Sequence, residues 1–196
     1  MKKRKASLPL ILGIGLILCS LCILVVIRIR IQTGAQKSQA VMTQINACLP
    51  DRIYGTPGMN PGADMAVLEI NGVDYCGLLE IPVLGITLPI SDQWNSKDFY
   101  CAPSRFCGSV YDGTLVIGGG DYPKQFAFCD KIENGTAVTV TDMTGARFSY
   151  TVSRVDRAKH AQAQWLQEGV YDLVLFCRDA YSPEYIAVRC VFSHHA

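Results

Sequence analysis

Histidine is scarce: three residues in 196, at positions 160, 194 and 195. None sits in the short Cys/His spacing that a zinc site requires, so neither a metal nor any other cofactor is expected. Charge is sparse too, at 18% of residues, and no acidic residue precedes Asp51. Six of the 18 basic residues fall within the first 32 positions and all 17 acidic ones follow, so the head carries +6 and the rest, twelve basic against seventeen acidic, −5. A folded body without a basic excess excludes the electrostatic footprint of a nucleic-acid binder. The Gly and aromatic content excludes a disordered chain. Gly118-Gly119-Gly120 lacks the spacing and the following helix of a phosphate-binding loop. Neither an internal repeat nor a low-complexity tract is visible.

What is present begins with an apolar run. Residues 7–27, SLPLILGIGLILCSLCILVVI, contain no charge, and a helix of that length spans about 30 Å of hydrocarbon. The run exceeds a signal peptide's apolar region and lacks a small-x-small cleavage site. Leu16, Ile17 and Leu18 ahead of Cys19 do not fit a lipidation site. Four positive charges precede the run and two follow it, which predicts an uncleaved, single-pass anchor with a cytoplasmic N-terminus and an extracellular body. The expected organisation is a cytoplasmic tail (1–6), a transmembrane signal anchor (7–27), a stalk and linker (28–63) and one folded domain (64–193). The linker reading rests on GTPGMNPG at 55–62, two prolines and three glycines in eight positions.

Within the body the apolar period is mostly two. Met65–Ile70 runs into Asn71-Gly72, a strong hairpin signal. Val73–Ile81 and Gly85–Ile90 follow, with Pro82 and Pro89 predicting strand ends or edges. Further strands are expected around Leu115–Ile117, Ala137–Thr141, Phe148–Val152, Leu173–Phe176 and Tyr185–Phe192, and one short helix near Ala161–Glu168. Asn134-Gly135 reads as a turn. This pattern predicts an all-β barrel or sandwich.

Nine cysteines are present, seven of them beyond the apolar run: Cys48, Cys76, Cys101, Cys107, Cys129, Cys177 and Cys190. An exported body permits disulfides, and Cys101 and Cys107 are the closest pair, yet most are expected to be small buried hydrophobes. Cys177 closes a buried-type strand, LVLFC, and precedes Arg178; a thiol at a strand end beside a cation is a candidate nucleophile.

The chain resembles the sortases, membrane-anchored cysteine transpeptidases of Gram-positive bacteria. The blocks NGVDYCGLLEIPVLGITLPI, SRFCGSVYDGTLVIGGGDYPKQFAFCDKIENGTAVTVTD, YDLVLFC and YIAVRC carry the resemblance, together with the anchor. It implies an eight-stranded β-barrel at the cell membrane. It also implies cleavage of a sorting signal such as Leu-Pro-x-Thr-Gly and transfer to the cell wall or a pilin, with a sorting-signal peptide or surface protein as partner.

The residues that carry the chemistry depart from the family pattern. A Gly-His-Asn-Tyr-like turn carries the family's histidine; here the turn reads Gly119-Gly120-Asp121-Tyr122, with Gly120 in the histidine position. The family's last strand opens on an arginine; here Tyr185 occupies that place. Counted from Asp172, the family pattern Asp-Leu-Thr-Leu-x-Thr-Cys puts Arg178 in the nucleophile position and turns Cys177 to the other strand face. Anchored on Cys177 instead, the nucleophile survives without its helpers. His160 precedes the strand ending at Cys177, and no spacing places it at the groove. The resemblance therefore implies a degenerate sortase that binds a peptide or protein partner. The alternative is an active transpeptidase working through Cys177, and a third reading is a structural component held by disulfides.

Overall fold

The computed structural model describes residues 8–51, 53–58, 61–160 and 162–193. An unbroken helix, α1 (Leu8–Cys48), opens the chain. It is the one helix among the described residues long and apolar enough to cross a membrane. Ten strands follow: β1 (Ile53–Tyr54), β2 (Leu68–Ile70), β3 (Val73–Ile81), β4 (Ile86–Ser91), β5 (Ser104–Cys107), β6 (Leu115–Gly119), β7 (Ala137–Asp142), β8 (Ala146–Ala158), β9 (Leu173–Arg178) and β10 (Tyr185–Phe192). Among the described residues one short α-helix, α2 (Ala163–Gln167), lies between β8 and β9.

Eight strands close a ring in the order β3-β4-β5-β6-β9-β10-β8-β7, with β7 returning to β3. β1 and β2 add to the outside of β8 and β3. Closure removes the exposed edges that an open sheet of this size would carry. The Asn71-Gly72 hairpin forms as its residue types dictate, both residues having positive φ. Pro89 lies inside β4, opposite Leu78, at a local edge of the kind expected. It is tolerated there because β4 meets β5 only at Ser91 and Ser104, which leaves no continuous ladder beyond Pro89 to interrupt. β5 and β1 were not expected from the apolar pattern: the first is four residues long and only partly buried beyond Ser104, the second two residues and exposed.

The interior is filled from seven of the eight strands of the ring, all but β5, with Leu79, Ile81, Ile90, Leu115, Ile117, Val140, Phe148, Leu175 and Val188 at its heart. Strand β9 is buried on both faces. Leu173, Leu175 and Cys177 point into the barrel, while Val174 and Phe176 point outward beneath α2 and its loop. This double burial explains why LVLFC reads as a continuous apolar run rather than an alternating one.

Of the segment expected as a stalk and linker, the part up to Cys48 continues α1, and the end of that helix lies along the barrel. Val41 and Ile45 are buried against Ile70, Tyr75, Leu78 and Ala102. Gly34 permits the close approach: a Cβ there would sit 2.1 Å from the Tyr100 carbonyl oxygen.

Candidate functional site

Adjacent strands β6 and β9 run parallel, with Gly118 opposite Phe176 and Gly119 opposite Cys177. β10 returns antiparallel, pairing Tyr185 with Arg178 and Ile186 with Cys177. Residues directly opposite share a face, and successive residues alternate. Gly120, Arg178 and Tyr185 therefore meet at one end of the barrel on its outer face, whereas Cys177 belongs to the inner face.

The side chains follow this division. Cys177 is 1% exposed and belongs to the core; its thiol donates to the Phe126 carbonyl at 3.8 Å and lies beside Cys129. Burial first, and the Cys177 thiol second, push the Cys129 thiol well above its ordinary range. Arg178 is exposed, and Tyr185 is half-buried beside it. Among the described residues all nine cysteines are free thiols, Cys101 and Cys107 included.

Three glycines in a row are explained by rings on both sides. A Cβ at Gly118 would sit 2.5 Å from Trp94 and 2.8 Å from Phe176 on the outer face; one at Gly119 would sit 2.5 Å from Phe126 on the inner face. At Gly120 it would meet the Tyr122 ring at 2.2 Å. The space a histidine would need is thus filled by Tyr122, which stacks on Tyr100 at 4.4 Å between centroids. Burial, followed by the neighbouring Tyr100, pushes the Tyr122 hydroxyl up to about 12, so it stays protonated and is no base at neutral pH.

These elements enclose an open cleft of about 800 Å³. Trp94 and Phe176 form its floor, stacked at 5.7 Å and 13°. Asp121 and Tyr122 form one rim, and the β9–β10 hairpin from Arg178 to Tyr185 forms the other. The hairpin is held tightly: the Asp179 amide donates to Glu184 O at 2.9 Å, and its carboxylate accepts from the Tyr181 amide at 2.8 Å and from Arg157 at 2.9 Å. Those bonds, the Tyr181 amide first, hold the Asp179 carboxyl below its ordinary range. Asp121 ties the two rims together by accepting from the Ala180 amide at 2.8 Å. Cys177 borders the cleft as well, but its side chain is turned inward and 1% exposed.

His160 lies two residues beyond Ala158, which pairs with Tyr185. The register therefore carries it to the cleft end of the barrel, nearer than its place in the sequence implied, although it does not line the cleft. His194 and His195 lie outside the described residues. Sequence reasoning missed the cleft's aromatic floor. Phe176 was legible as the outward neighbour of Cys177 once the strand's parity is set, but nothing adjacent to Trp94 marks it.

The arrangement offers rings, one exposed guanidinium and hydrogen-bonding rims around an open cleft. No family model and no curated protein matches the chain. Solved structures do. Sortase C1 of GBS pilus island 1 is similar with a TM-score of 0.54 at 17% identity, over 86% of this chain and 85% of that one. Sortase C from Clostridium perfringens SM101 has a TM-score of 0.52 at 18% identity, over 62% and 71%. Sortase A from Listeria monocytogenes has a TM-score of 0.51 at 13% identity, over 61% and 88%. Likeness at these identities speaks to architecture, and together with the closed eight-stranded ring it establishes that the chain has the sortase fold.

Proposed function

We propose that this chain is a membrane-anchored member of the sortase family, exposed at the bacterial surface, whose cleft binds an extended peptide of a sorting signal or surface protein without cleaving it. The observation that carries the reading is the direction of Cys177: its thiol points into the core and donates to Phe126 O, while Arg178 takes the cleft-facing position. A nucleophile must reach the substrate carbonyl, and a buried, hydrogen-bonded thiol cannot do so without a strand slip. The helpers implied by the resemblance are replaced by Gly120 and Tyr185. Loss of acid–base help costs about 10² to 10⁴ in rate, and loss of the oxyanion donor about 10² to 10³. Binding through the rings survives both losses.

The full-length chain in phosphatidylcholine nanodiscs tests this. Incubated with a Leu-Pro-x-Thr-Gly peptide, it is expected to release no cleavage product by mass spectrometry, and iodoacetamide is expected to leave Cys177 unlabelled until the protein is denatured. Cleavage that disappears in Cys177→Ala would overturn the reading in favour of an active transpeptidase.

A further inference from the structure

Arg178 ends β9 on the cleft side and is exposed. Among the described residues no carboxylate pairs with it, although three lie on the same rims. Asp179 is engaged with Arg157 and the Tyr181 amide, and Asp121 with the Ala180 amide. Glu184 precedes Tyr185 on the returning arm, its backbone carbonyl bonded to the Asp179 amide. The Arg178 guanidinium presents a planar fork of donors that matches a carboxylate. Trp94, Phe176 and Tyr185 line the same cleft and put apolar surface beside the cation. The remainder of the body carries a net negative charge, so acidic partners are attracted at this point rather than generally.

We infer that the cleft selects an extended segment of a partner protein carrying an aspartate or glutamate, whose carboxylate forks onto Arg178 while its apolar neighbours lie on Trp94 and Phe176. This rests on the peptide-binding reading above and adds a charge requirement to it. In an extended chain alternate side chains face alternate ways, so one acidic residue flanked at two-residue spacing by apolar ones fits both the cation and the rings. The role of Arg178 here is recognition, in the place where the family resemblance expects a nucleophile.

The experiment passes a positional-scanning library of acetylated, amidated hexapeptides over the full-length chain held in phosphatidylcholine nanodiscs and identifies what is retained. One position is expected to favour Asp and Glu over Asn and Gln by about tenfold, the scale of one charged hydrogen bond. Arg178→Gln is expected to erase that preference while still retaining apolar peptides. Retention without an acidic preference would overturn this inference and leave the peptide-binding reading standing. No retention of any peptide would overturn both. If Arg178→Gln instead loses adhesion to phosphatidylglycerol vesicles with an unchanged peptide profile, the cation serves a membrane and the inference fails.

Discussion

Arg189 shows how completely one side chain can be committed to structure. It is 3% exposed, and its Nε donates to Asp156 at 2.6 Å. Its two terminal nitrogens donate to the carbonyls of Trp165, Leu166 and Glu168 at the end of α2. The rings of Trp165 and Tyr171 lie 5.3 and 5.1 Å from its guanidinium carbon. A cation here adds donors to the carbonyls at the end of a five-residue helix, where Trp165 O also accepts from the capping Glu168 amide. Arg189 also stands four residues along β10 from Tyr185, about 13 Å away, so it is no substitute for an arginine at the cleft. Arg189→Met is expected to lower stability by about 3 to 5 kcal/mol by leaving the carbonyls at the helix end without their donor and Asp156 with only the exposed Arg154 as partner. Urea unfolding checks this; a loss below about 1 kcal/mol would show that the network contributes little.

At the scale of elements, β6 and β9 decide what the cleft can be. The glycine run closing β6 is a packing requirement, with Trp94 and Phe176 on one side and Phe126 on the other. Gly118→Ala is expected to cost about 1 to 3 kcal/mol by overpacking and to loosen the stacked pair, measured as a lower Tm and altered Trp94 fluorescence. An unchanged Tm would mean the floor is more pliant than its contacts imply. The same two strands show what was legible beforehand. Alternation, turn residues and the Asn71-Gly72 signal outline most of the ring, because half-buried strands print their period on the sequence. A strand buried on both faces prints none, so LVLFC alone leaves the facing of Cys177 open between two alignments. Only the pairing of Tyr185 with Arg178 supplies its parity. The cleft floor was hidden for a different reason: Trp94 meets Phe176 across 82 positions of chain, a distance no local pattern spans.

For the whole molecule, the docking of α1 is the feature that sequence composition describes least well. The polar, Gln- and Ala-rich stretch after the apolar run looks like a spacer, yet Val41 and Ile45 recur at helical spacing and cover Ile70, Tyr75 and Leu78. Ile45→Ala is expected to destabilise the barrel by about 2 to 5 kcal/mol, as for other fully buried aliphatic truncations. Calorimetry of the full chain checks it. A Tm equal to that of the unaltered chain would show that the helix contributes nothing to the barrel it covers.

Because α1 runs without a break from its apolar half into that packed seam, nothing between them acts as a swivel. With the apolar half in a bilayer, Arg28 to Val41 covers only about 20 Å of helix, and the barrel inherits the tilt and rotation of its anchor. Under the proposed function, the search for a partner would then be two-dimensional, confined to the layer above the lipid that a barrel so tethered can reach.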